Sequence, residues 1–288
     1  MRIIYSSSKT YNKINMDLRI VNTCNNNCLY CLEQSYRLKE KYIYKNDIFL
    51  LINKNLDDNI TFYWWNPLLH PDIIEIVKYS FSLWYKSIWI LTNSYWLDNN
   101  LLNNLIENWL SSIWLYFNSF NREKHNLIVN WWIDYDEFIN NLSIISKTKL
   151  FLKVIIHVNN ENINSIYKDL LILNKKFWIK NFEFINYFPF DRPYDLYKNI
   201  LEFDEFKNKD YINNIFIIIE KLKLNVSFVK FPKSFFWKYI KYYDFSNWIL
   251  NQIGEEDINR LDIKEKPFCF LESRCNSCFI RDNCKFYE

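Results

Sequence analysis

A chain of 288 residues that contains a single glycine, Gly254, has few ordinary ways to turn. Glycine is the default residue wherever the backbone needs positive φ or close approach to a ligand. An average chain of this size would carry about 7% glycine, roughly 20 residues. Alanine is absent as well, whereas there are 12 tryptophans. Abundant Lys, Asn, Ile, Phe and Tyr are what a very AT-rich coding sequence produces. Such a gene should also be poor in tryptophan, whose standard codon is GC-rich, so coding bias does not explain the excess. Two of the indoles, Trp64 and Trp65, stand side by side in FYWWNPLLHPD, residues 62–72, where an Asn-Pro announces a turn.

Half of the residues are hydrophobic, enough for a sizeable core in one large domain or one domain with a small appendage. The formal net charge of +3 is too small to argue for nucleic acid or an acidic membrane surface, and the Lys/Asn runs read as solvated faces. The opening MRIIYSSSKTYNKINMD is not a secretory signal, and no apolar run reaches the ~20 residues of a membrane span. A cytoplasmic protein without nucleic-acid or membrane partners is therefore expected. No Ser/His/Asp array and no phosphate-cradling glycine loop is present. His70 and His125 read as packing or capping residues, and His157 is given no role.

The seven cysteines fall into two groups. Cys24, Cys28 and Cys31 form a C-x3-C-x2-C run in TCNNNCLYCLEQ, and Cys269, Cys275, Cys278 and Cys284 form a C-x5-C-x2-C-x5-C run in FCFLESRCNSCFIRDNC. An odd total without a secretory signal argues against a disulfide framework. Clustered thiolates in a reducing compartment point instead to soft-metal chemistry, namely zinc, copper(I) or iron–sulfur. Three thiolates on one short loop can hold three irons of a 4Fe–4S cube and leave the fourth iron open. A structural zinc site wants four ligands, usually from separated pairs, and no histidine or fourth cysteine lies nearby.

The C-x3-C-x2-C spacing, with Tyr30 just before its last cysteine, resembles the signature of the radical S-adenosylmethionine (SAM) enzymes. The resemblance implies a 4Fe–4S cluster whose open iron is chelated by the amino and carboxylate groups of SAM. It also implies reductive cleavage of SAM to a 5′-deoxyadenosyl radical that abstracts a substrate hydrogen, with an electron donor such as flavodoxin or ferredoxin. The cofactor would carry the hard chemistry while the protein orients it and excludes water.

The order of elements agrees. Apolar, β-branched runs at 17–23, 59–64, 86–93, 112–118, 149–158 and 180–187 alternate with helix-like segments, as in βα units around a parallel sheet. The expected fold class is α/β. The family adds closure into a partial (β/α)6 TIM-like barrel, here over residues 14–222, followed by a bridging segment at 223–268 and a small cysteine-rich extension at 269–288. The first cysteine loop follows the first strand of this reading, at the end where barrel active sites gather. Where the family typically has Gly-Gly-Glu-Pro, this chain has Trp64, Trp65, Asn66 and Pro67. By resemblance, positions 64–66 face the methionine part of SAM, with Asn66 keeping a carbonyl acceptor but losing the charge of Glu. LTNSYWL resembles the family's Thr-Asn-Gly segment, Tyr116 takes a place where a small polar residue often meets SAM, and Asn118 replaces a common Asp.

Tryptophan stands at almost every site where the familiar segment around the fourth strand, NWLSSIWLYFNSFNREKHNLIVNWW, carries glycine. The same holds in SLWYKSIWIL and KKFWIKNFEF. Most of the tryptophans are therefore expected to be glycines, written as tryptophan because UGA codons that the source reads as glycine were translated by a different code. Individual positions, such as Trp237 in FFWKYI and Trp248 in SNWIL, stay open to a real indole.

The C-terminal cysteines resemble the auxiliary-cluster modules called SPASM or Twitch. Four cysteines suffice for one auxiliary 4Fe–4S cluster, which fits a Twitch-like module, and they suit a tetrahedral zinc site equally well. Because such modules are common among peptide-modifying members, the resemblance points to a peptide or protein substrate. The alternative is a non-catalytic iron–sulfur or zinc protein that transfers electrons or binds a partner.

Overall fold

The structure, a computed structural model, describes residues 5–10, 13–31, 42–54, 58–63, 65–130, 134–186 and 208–229. Trp64, Trp131, Trp132, Trp237 and Trp248 lie outside the described residues, as does the whole C-terminal cysteine group of Cys269, Cys275, Cys278 and Cys284. The chain divides into two compact units, one of residues 1–155 and 172–181, the other of residues 156–171 and 182–288.

The first unit is built on a sheet whose strands follow chain order. Strand β1 (Tyr5–Thr10) pairs antiparallel with β2 (Lys13–Arg19), from Tyr5 opposite Leu18 to Thr10 opposite Lys13. Strands β3 (Asn59–Tyr63), β4 (Ser87–Thr92), β5 (Ser112–Tyr116) and β6 (Phe151–Val158) then add in parallel. Ile60 and Phe62 of β3, Ile88 and Ile90 of β4, and Ile113 and Leu115 of β5 are all buried. In β3 the intervening Asn59 and Thr61 are buried too, the mark of a parallel strand covered on both faces. Each fully buried side chain of this size contributes roughly 1.5–3 kcal/mol.

The connections are α1 (Lys45–Lys54), α2 (Ile73–Ser82), α3 (Asn99–Glu107), α4 (Arg122–Val129) and α5 (Tyr135–Ser146). Three of them start on a side-chain cap. Asp98 accepts from the Leu101 amide at 2.7 Å, Asn121 from Lys124 at 2.9 Å, and Asp134 from Asp136 at 2.8 Å. Their apolar stripes, such as Ile73, Ile76 and Val77 of α2 or Phe138, Leu142 and Ile145 of α5, are buried.

The helix C-termini show how the chain manages without glycine. Helix α4 ends on Asn130 at φ 48°, a residue that tolerates the left-handed region. Helices α2 and α3 end instead on Trp84 (φ 68°) and Trp109 (φ 74°), and Trp178 (φ 55°) follows α6 (Ile166–Phe177). After α3 the Leu110 amide donates to Leu105 O at 2.9 Å, the long bond of a Schellman turn. That turn normally places glycine where Trp109 stands. A side chain with a Cβ costs roughly 1–2 kcal/mol in this conformation.

The second unit contains the first part of α6, most of β7 (Asn181–Asn186), α7 (Lys209–Leu222) and β8 (Asn225–Val229). Strands β7 and β8 are neighbours, and Phe184 stacks on Phe228 with ring centroids 5.0 Å apart. Phe216 of α7 covers the same ring at 5.3 Å. Strand β8 falls within residues 223–268, the stretch expected to act as a bridge, and β1 lies ahead of residue 14, where the barrel was expected to begin.

Candidate functional site

The parallel strands of the first unit all end on one edge, and the residues that follow those ends converge there. Beyond β2 runs the cysteine loop, beyond β3 Trp65 and Asn66, beyond β4 Asn93, and beyond β5 Asn118. In α/β barrels this C-terminal edge is where function collects.

The loop carrying Cys24, Cys28 and Cys31 is pinned to the end of α4. The Asn27 amide donates to Val129 O at 3.2 Å and the Leu29 amide to Ile128 O at 2.9 Å, so Cys28 sits between two anchors. A tighter turn follows, in which the Cys31 amide donates to Cys28 O at 2.9 Å. All three cysteines lie outside any disulfide and are partly accessible. Burial, and after it the charges that Cys24 and Cys31 would carry, pushes the Cys28 thiol up; hydrogen bonds with Asn26 and Tyr30 oppose this. Three thiolates placed to repel one another need a cation, and a coordinating metal deprotonates such thiols outright.

Among the described residues no three Cys, His, Asp or Glu side chains converge on a single ion. Three partly accessible soft donors on one short loop fit a 4Fe–4S cluster.

Beside the loop lies a polar network that joins Asn66 and the Thr92-Asn93 pair of LTNSYWL to Asn25. Asn93 donates to Asn25 Oδ1 at 3.0 Å and lies 3.6 Å from Cys24 Sγ. Asn66 is fully buried; its Nδ2 donates to Tyr95 O at 3.1 Å and to Asn25 Oδ1 at 3.3 Å, while its Oδ1 accepts from the Thr92 hydroxyl at 2.7 Å. The amide of Asn66 thus ties the ends of β3 and β4 to the cysteine loop, and only a second lone pair on Oδ1 is left for a ligand. Asn66→Asp turns a donor towards the Tyr95 carbonyl into an acceptor. It should destabilise the protein by about 1–3 kcal/mol in urea unfolding.

Tyr30 and Asn118 meet across the loop: the Tyr30 hydroxyl donates to Asn118 Oδ1 at 2.9 Å, and both residues are buried. Burial first, then the Cys28 charge, holds the Tyr30 phenol well above its usual range, so it stays a neutral donor. Trp65 is also buried, its ring 5.4 Å from the Arg19 guanidinium and its indole N–H without a hydrogen-bond partner.

The two histidines expected to pack or cap do so. His70 sits just before α2, with Nδ1 accepting from the Asp72 amide at 3.0 Å and Nε2 against Ile43 O at 2.8 Å. His125 is buried in α4, and the Tyr95 hydroxyl lies 3.1 Å from its Nε2. Burial lowers the His125 pKa to about 4. The folded state therefore prefers the neutral ring, so its contribution is complete above about 6.5 and is lost as pH falls towards about 4. The loss should amount to roughly 3 kcal/mol over that window. Urea midpoints at pH 4 and 7 measure it, and His125→Phe should flatten the slope.

Against this geometry stands one sequence-family finding: the model described as the Radical SAM superfamily matches residues 18–171, more than half of the chain. The chain belongs to the radical SAM superfamily. As in that superfamily, the 4Fe–4S cluster and SAM are its cofactors and it is an enzyme. A search of curated protein sequences returns no match.

Solved radical SAM structures share the fold. Streptococcus suis SuiB bound to precursor peptide SuiA aligns at a TM-score of 0.62 with 13% identity, over 93% of this chain and 70% of SuiB. Native anSMEcpe with bound AdoMet and a peptide aligns at 0.59 with 17% identity, over 74% of this chain and 62% of that one. A spore photoproduct lyase with bound AdoMet and dinucleoside spore photoproduct aligns at 0.55 with 13% identity, over 78% of each chain. These likenesses establish the α/β fold of a partial TIM-like barrel. This radical SAM chain spans less than two thirds of anSMEcpe.

Proposed function

We propose that this radical SAM enzyme acts on a peptide or protein side chain. Two of the aligned structures, SuiB and anSMEcpe, hold peptides, and that observation carries the substrate class. In this reading Cys24, Cys28 and Cys31 hold the cluster. Bound there, the cluster supplies the electron that cleaves SAM to the radical that takes the substrate hydrogen.

The protein's own part is placement. The anchored loop fixes the three thiolates; Asn25, Asn66 and Asn93 join it to β3 and β4; the neutral Tyr30–Asn118 pair closes its far side. Position 65 and Asn66 face the methionine part of SAM, as does Trp64, and a ligand ammonium would use the second lone pair of Asn66 Oδ1. Cys269, Cys275, Cys278 and Cys284 hold one auxiliary 4Fe–4S cluster, with zinc the competing occupant of four thiolates. The enzyme is cytoplasmic and draws electrons from a flavodoxin or ferredoxin. No helix among the described residues is long and apolar enough to cross a membrane.

The test is incubation of anaerobically reconstituted protein with SAM, dithionite and a panel of peptides that includes any encoded by a short reading frame beside its gene. A SAM-dependent mass change on one side chain supports the proposal. Turnover of SAM with no change in any such peptide, together with activity on a small molecule, would reject the substrate class.

A further inference from the structure

Seven tryptophans are described: Trp65, Trp84, Trp89, Trp96, Trp109, Trp114 and Trp178. Five of them have φ between 52° and 74°. All other described residues supply only three such positions, Ser94, Asn130 and Lys223. Chance does not concentrate the bulkiest side chain in the conformation that its own Cβ opposes, where Asn, Asp and His are the tolerated exceptions.

The five occupy recognisable glycine positions. Trp84, Trp109 and Trp178 follow helix ends, in the left-handed place where glycine normally terminates a helix. Trp96 is the third residue of a turn closed by the Leu97 amide donating to Ser94 O at 3.2 Å, and that place in a type II turn asks for positive φ. Trp65 follows β3 at the edge of the cysteine loop.

Packing explains the indoles poorly, although Trp109 stacks on Phe81 at 4.5 Å and Trp65 lies 5.4 Å from the Arg19 guanidinium. Trp84 is 88% exposed, Trp178 73%, Trp96 68% and Trp109 61%. The buried one, Trp65, leaves its N–H without a partner. Trp89 and Trp114 lie in strands, stack at 5.1 Å and demand nothing of the backbone, although the buried Trp114 N–H likewise lacks a partner.

We propose that the natural protein carries glycine at positions 65, 84, 96, 109 and 178, through UGA codons that its source decodes as glycine. Independently of composition, the backbone asks for glycine at these named positions. This assignment also deepens the radical SAM reading, on which it does not depend: glycine at 65 removes an indole from beside Asn66 and the cysteine loop.

Peptide mass spectrometry of the protein isolated from its source tests the proposal directly. Glycine at the five positions is expected; tryptophan there overturns it, whatever the enzyme's chemistry. A second test needs only recombinant full-length protein. At 84, 109 and 178 the Trp→Gly variants should unfold at higher temperature than the matching Trp→Ala variants, whereas at 89, in a strand, Trp→Ala should exceed Trp→Gly. Alanine equal to or better than glycine at the first three positions would show that the backbone does not ask for glycine there.

Discussion

Cys28→Ala is expected to reduce SAM cleavage to background and to remove the cluster absorbance that the Cys24–Cys31 loop supplies. Cys28 sits between the Asn27 and Leu29 amides, each bonded to the end of α4, and its own carbonyl receives the Cys31 amide. These backbone bonds do not use its side chain, so alanine should keep the loop's anchors while removing the sulfur and its hydrogen bonds with Asn26 and Tyr30. Loss of groups that merely orient a ligand typically costs 10–100-fold in metal affinity or activity. Removing the ligand itself should exceed that. Iron analysis and 5′-deoxyadenosine release, measured on one anaerobic preparation, check both parts. Urea unfolding of the unreconstituted protein should move by less than about 1 kcal/mol, which separates ligand loss from misfolding.

Replacing Trp84, Trp96, Trp109 and Trp178 together by glycine should give the largest gain in stability available to this chain. Each left-handed residue with a Cβ costs roughly 1–2 kcal/mol, and each of the four side chains is mostly in solvent. Trp109 does stack on Phe81 at 4.5 Å, an interaction worth about 0.5–1.5 kcal/mol. Because Phe81 also precedes Trp84 in α2, those two sites are coupled and their gains need not add. The expected total is about 3–6 kcal/mol. At about 2–4 °C per kcal/mol for domains of this general size, the thermal midpoint should rise on the order of 10 °C. A scan of the fourfold variant beside the unaltered chain measures it.

The elements differ in how plainly the residues announce them, and the reasons are physical. Strands β3 to β7 were legible because strands covered on both faces read as apolar, β-branched runs. Strand β1, with its YSSSKT, carries no such run; it exists by pairing antiparallel with β2, which a local pattern cannot reveal. Strand β8 follows α7 so closely that its five residues merge with the helical stretch before them. The cysteine loop was legible through spacing alone, because three thiols within eight residues have few structural uses.

The polar network around the loop was only partly legible. Asparagine is everywhere in this chain, and only the meeting of β3, β4 and the loop distinguishes Asn25 from the solvated ones; Asn93 was marked by its place in LTNSYWL, but its bond to Asn25 was not. Asn66 was legible by its place before Pro67, but its role as a tie between strands was not. Glycine deficiency could be read from composition, while its location needed φ angles.

In the proposed function, SAM cleavage depends on the first cysteine loop. The most direct measurement uses the protein with glycine at positions 65, 84, 96, 109 and 178, reconstituted anaerobically with iron and sulfide. After dithionite and SAM are added, 5′-deoxyadenosine is quantified by chromatography. Release that depends on all three of Cys24, Cys28 and Cys31 is predicted. A protein that takes up a full cluster on that loop and yet leaves SAM intact would contradict the account.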